Sequence, residues 1–241
     1  GSHDGWGVEA GKGWGNGGCG KYDGGGKGGM DGGGGLCKGL PQTGFMAMKV
    51  LLSLDEVNIL TEDSNFMQQI QTTTGTAAFK SEHMYPGSTL HELTFKGPSA
   101  EAVFNALTAC FSKICDALGS VQSGEFATDM SSGTVKLVVP KAAVAVIIGP
   151  GGQGVKQIKG HCGIRAQVDL NQVPCTESTM EQAMSLTGNL HGMQTALTQI
   201  TSVVAKFAAE PWFESWASNS SCGKVPATFT LFDGSKGKGK M

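Results

Sequence analysis

The chain has 241 residues, 39% of them apolar and 38 of them glycine, with a formal net charge of −2. That leaves room for one or two globular cores and gives no overall electrostatic pull toward nucleic acid. No stretch approaches the ~18 apolar residues of a membrane span. Seven cysteines with neither a C-x-x-C pair nor ordered Cys/His spacing give no disulfide framework and no zinc site.

Residues 1–43 are low in complexity, with Trp6, Trp14 and Tyr22 scattered among glycine, lysine and aspartate. Such a segment cannot bury enough surface to offset its ordering entropy, so a disordered tail is expected. The opening Gly1-Ser2-His3, without a methionine, reads as a tag scar or an excised fragment. No secretory signal is visible, and the odd cysteine count fits a reducing compartment, nuclear or cytoplasmic.

Residues 44–119 begin with the strand MKVLLSL, followed by helical spacing of Ile59, Leu60, Met67 and Ile70 up to a break at Gly75. A strand through Leu93 and Phe95 and a closing helix holding Ala106, Leu107, Cys110 and Cys115 complete the segment. Between its first two helices stands Thr61-Glu62-Asp63-Ser64. From Met46 to Leu118 four lysines face eight acidic residues, a surface phosphates would avoid. Residues 120–132 are polar and read as a linker.

Residues 133–208 open with Val135, Leu137 and Val139 in strand alternation, ended by Pro140, which cannot donate to a ladder. The apolar run Val144, Val146, Ile147, Ile148 stops at Gly149-Pro150-Gly151-Gly152. Val155 and Ile158 then recur at helical spacing before Gly163, and Ile164, Ala166 and Val168 alternate with Arg165, Gln167 and Asp169 as a half-buried strand does. Five lysines and Arg165 here face three acids, so this segment tolerates phosphate. Residues 209–241 carry Trp212, Phe213 and Trp216, then a Ser/Gly-rich end with Lys236, Lys238 and Lys240.

The two globular segments are copies of one unit. Ile59, Leu60, Met67, Ile70 and Gly75 precede Ile147, Ile148, Val155, Ile158 and Gly163 at one constant offset, and Leu93-Thr-Phe95-Lys-Gly97 parallels Met184-Ser-Leu186-Thr-Gly188. Gly149 to Gly154 also satisfies G-x-G-x-x-G with Asp169 some 20 residues on, the dinucleotide fingerprint. The loop does not follow a strand directly, and too little chain remains for a cofactor crevice. The histidines lie apart and no Ser or Cys has a catalytic motif around it, so no catalytic residues, metal ligands or cofactor are assigned and the chain is expected not to be an enzyme.

The frame Ile147, Ile148, Gly149, Gly152, Val155, Lys156, Ile158, Gly163 resembles the type I K-homology (KH) domain. The layout is similar to that of tandem-KH factors such as the poly(C)-binding proteins. The resemblance implies an α+β fold of two β-α-α-β-β-α units, each a three-stranded antiparallel sheet with three helices on one face. It also implies that the glycine loop clamps the backbone of unpaired nucleotides. By position, Gly149, Pro150, Gly151 and Gly152 would hold phosphates. Ala145, Ile148, Val155 and Val168 would floor the base groove, and Lys156, Lys159 and Arg165 would meet phosphates or base edges. Pro150 removes one N–H donor and replaces a customary cation, which weakens the expected grip. The first copy, with carboxylates in place of the glycine loop, is degenerate: structural, or facing a protein. The expectation is single-stranded RNA binding, or single-stranded DNA, by the second copy, with a protein partner on the first copy or the C-terminal aromatic segment. The alternative is a protein-interaction scaffold whose KH folds no longer bind nucleic acid.

Overall fold

The computed structural model describes residues 45–121 and 132–222; the glycine-rich 1–43, nearly all of the linker and the Lys/Gly end lie outside them. The first copy runs β1 (Met46–Leu52), α1 (Leu54–Glu62), α2 (Ser64–Thr74), β2 (Ala77–Met84), β3 (His91–Gly97) and α3 (Ala100–Val121). The second runs β4 (Ser132–Pro140), α4 (Lys141–Ile148), α5 (Gln153–Cys162), β5 (Arg165–Pro174), β6 (Met180–Asn189) and α6 (Leu190–Ala205), and a short α7 (Phe213–Ser218) follows. Both copies thus follow the expected order of elements.

Local chemistry sets the boundaries. Ser53 and Glu56 form a reciprocal capping box at the start of α1. The Asn189 side chain accepts from the Gly192 N–H at 2.7 Å to open α6. The helices before β2 and β5 end on Gly75 and Gly163, both left-handed, a conformation that costs a residue with a Cβ about 1–2 kcal/mol.

The strands do not form two separate three-stranded sheets. They make one six-stranded antiparallel sheet of order β2-β3-β1-β4-β6-β5, in which β1 meets β4 through Lys49↔Val138, Val50↔Leu137 and Leu51↔Lys136. Every residue of β1 is buried, as expected of a central strand covered on both faces. Along β1, Met48, Val50 and Leu52 join a core shared with Leu60, Leu107, Ile147 and Ile200 under the helices. Leu51 points the other way, with Val138, Tyr85 and Cys222 in a second cluster.

That second face is covered by the C-terminal segment. Phe213 meets Phe45 edge-on at 6.2 Å, and Trp216 is fully buried. Beside Trp216 lies a buried ionic cluster drawn from three parts of the chain. Lys49 Nζ of β1 stands 3.0 Å from Glu181 Oε2 of β6 and 3.5 Å from Glu92 Oε1 of β3. Lys49 also donates to the Asn219 carbonyl at 2.7 Å and sits over the Trp216 ring at 4.8 Å, while the indole N–H donates to Glu181 at 2.8 Å. Ser221 donates to the remaining Glu181 oxygen. Burial alone would discharge these groups, and only mutual pairing keeps them tolerable.

Candidate nucleic-acid interface

The glycine loop of the second copy is an exposed turn. Ile147 at the end of α4 is buried, anchoring the helix, whereas Pro150 and Gly151 face solvent. The Gly149 N–H closes α4 by donating to the Ala145 carbonyl at 3.0 Å. Pro150 to Gly152 then make a single 3₁₀ turn with Pro150 at its first position. Proline's missing N–H is no local loss there, because first-turn N–H groups have no helical partner. Gly149, Gly151 and Gly152 have φ of 67°, 59° and 76°, so three residues of the turn take a backbone that side chains disfavour. A Cβ at Gly151 or Gly152 would meet nothing within 4 Å, so these two glycines answer backbone shape rather than internal crowding.

No side chain caps α5, whose N-cap is Gly152. The Gln153 N–H already donates to the Pro150 carbonyl, so what an anion can approach here is the positive dipole end and the first-turn amides beyond Gln153. Lys156 and Lys159 are exposed on α5 and Arg165 is exposed at the start of β5, an edge of the sheet. Among the described residues none of these three cations is tied up in an ion pair. Ile148, Val155 and Val168 are half-buried and pack at the margin of the main core, leaving part of each side chain outward, and Ala145 is exposed. The eleven residues assigned by resemblance therefore lie on α4, the glycine turn, α5 and β5, with cations outside and apolar groups lower down.

The same position in the first copy is built differently. Asp63 lies between α1 and α2, and its carboxylate accepts from the Asn65 N–H at 3.1 Å, capping α2. Lys113 of α3 adds an ion pair at 3.3 Å while lying 4.1 Å over the Phe66 ring. The hydrogen bond from Lys113 and that from the Asn65 amide hold the Asp63 carboxyl below its ordinary value. This helix start already carries its own anion, in addition to lacking glycine.

One residue that shapes the turn, Gly154, lies outside the KH-like frame of the sequence. A Cβ on Gly154 would stand 2.4 Å from the Ile147 carbonyl oxygen and 3.2 Å from that of Ile148. Gly154 therefore sets how closely α5 approaches the end of α4, and with it the shape of the turn. The sequence offered it only as the last glycine of the rival dinucleotide pattern.

A 131-residue stretch is 28% identical to "RNA-binding protein Pasilla" of Drosophila melanogaster, covering 53% of this chain and 16% of that relative. The chain thus spans about a sixth of the curated relative it matches. The solved structure titled "Crystal structure of a/eIF2alpha-aDim2p-rRNA complex from Pyrococcus horikoshii OT3" is 13% identical, covering 72% of this chain and 94% of that one, and its TM-score of 0.23 is too low to bear on fold or function. Residues 134–202, from within β4 to within α6, match the family model described as the KH domain.

Proposed function

We propose that the chain is a non-enzymatic, tandem-KH single-stranded RNA-binding protein of post-transcriptional regulation, in the nucleus or cytoplasm, whose second copy holds the RNA. The observation that carries this is the Gly149–Gly152 turn, solvent-facing at Pro150 and Gly151, at a helix start without a side-chain cap, flanked by three cations that have no ion-pair partner among the described residues. Phosphates meet amides at the turn, bases lie on Ala145, Ile148, Val155 and Val168, and Lys156, Lys159 and Arg165 neutralise the backbone. The first copy, whose Asp63 occupies the phosphate position, is structural or protein-facing. A scaffold that binds only protein is the second reading, favoured by the uncharged Pro150-Gly151 tip and the acidic first copy.

The test is fluorescence anisotropy of the full chain with labelled RNA and DNA homopolymers at two salt concentrations. RNA binding that weakens with salt is expected to disappear in the double variant Gly151→Asp, Gly152→Asp. Both positions have space for a side chain, so the cost to the fold is limited to about 1–2 kcal/mol per left-handed residue. Binding that survives the double change would place the site elsewhere. Wild-type protein that binds neither polymer would leave the scaffold reading.

A further inference from the structure

A cavity of about 480 Å³ opens at the end of α4 opposite the glycine turn. Its walls include Lys141, Ala142 and Ala145 of α4, Ser178 and Thr179 between β5 and β6, and Trp212 of the C-terminal segment. Ala145 also belongs to the proposed base groove, and Ala142, Ala145 and Gly149 recur along one helical face. The cavity therefore continues that groove rather than forming a separate site. At 1.5 Å per residue, α4 spans about 12 Å between the two ends.

Three features fit a nucleobase. Trp212 is half-buried and fixed by ring contacts to Phe207 at 5.8 Å and Phe213 at 6.0 Å, yet it still lines the opening. A rigid aromatic wall of this kind stacks a base without reading its identity. Thr179 is 7% exposed and its hydroxyl has no hydrogen-bond partner among the described residues. Lys141 is exposed at the rim, where an ammonium can face the phosphate next to an inserted base.

We propose that Trp212, with Lys141 and the α4 face at Ala142, forms an additional nucleobase subsite lengthening the groove of the second copy; it rests on the single-stranded RNA reading above. A strand seated on the glycine turn fills the family's four-nucleotide clamp and, if longer, lays a further base against Trp212.

The experiment measures full-chain affinity for labelled oligo(U), oligo(C) and oligo(A) of about four and about eight nucleotides, lengths chosen around that four-nucleotide clamp. Trp212→Ala is expected to weaken the longer oligomer about 5- to 100-fold while leaving the shorter one unchanged, and Trp212→Phe to retain most of the affinity. Because Trp212→Ala also removes two ring contacts, Ala142→Leu serves as a second variant. It fills the cavity from an exposed helix position and should produce the same length-selective loss. Equal effects on both lengths, or none in either variant, overturn the subsite while leaving the groove intact, provided Gly151→Asp, Gly152→Asp still abolishes binding of both. If the wild-type chain binds neither length, the RNA reading fails and the subsite falls with it.

Discussion

Gly154 shows how one missing methyl shapes the site. Gly154→Ala places a Cβ against the Ile147 carbonyl, and the helices can separate only by disturbing the turn between them. A loss of about 1–3 kcal/mol in urea unfolding is expected, together with weaker RNA binding. Unchanged stability would mean that the two helices adjust freely. The glycines of the turn itself were legible because a glycine-rich break between two apolar helical runs marks a tight turn. Gly154 was not, since close approach of two helices leaves no periodic trace in one sequence. Asp63 was legible as a charge in the wrong place, but not as a cap already filling the helix start. Removing its partner with Lys113→Ala should move the Asp63 carboxyl back up toward the ordinary carboxylate range, measurable by NMR titration. No movement would show the Asn65 amide to be the dominant influence.

At the scale of elements, the consequential contact is β1 against β4, and it was only partly readable. The run Val50-Leu51-Leu52 is continuous rather than alternating, which is the mark of a strand covered on both faces. Nothing local says that its second cover comes from residues 206–222, or that Lys49 in its middle meets carboxylates from both copies. Burial opposes the Lys49 charge, but Glu92 and Glu181 more than offset it and hold the ammonium above its ordinary value. Burial pushes the Glu92 carboxyl up, and Lys49 pulls it back down. Lys49→Met removes that pull and strands two buried carboxylates, so a loss of about 3–5 kcal/mol is expected. Glu92 holds its proton more tightly folded than unfolded. Its stabilising contribution is therefore complete below its ordinary 4.5 and is lost as pH rises through the folded value. In Lys49→Met that folded value moves higher still, so the variant should be less destabilised at about pH 5 than at about pH 8. In the wild type, the Lys49 contribution is complete below 10.5 and is lost only as pH climbs through its still higher folded value. Equal losses at both pH values would mean that the carboxylates reach water once Lys49 is gone.

At the scale of the molecule, two copies that look separable in sequence share one sheet, one ionic cluster and one aromatic cover. The repeat gave the order of elements in each copy because apolar spacing is local. It could not give their union, because strand pairing between copies depends on surfaces far apart in the chain. Urea unfolding of residues 45–222 is expected to be a single cooperative transition. The isolated segment 133–208 should be less stable and should self-associate, because it exposes the β4 edge normally paired with β1. Two resolved transitions would mean that the shared sheet contributes little. Where an unpaired strand lies on the molecule is read from amide NMR shifts during titration of the full chain with a short RNA homopolymer. Changes should centre on Gly149, Gly151, Gly152, Val155, Lys156 and Arg165 and leave Thr61 to Ser64 untouched. Saturable shifts confined to the first copy, or none in the glycine turn while RNA is bound, would place the strand away from the second copy's groove.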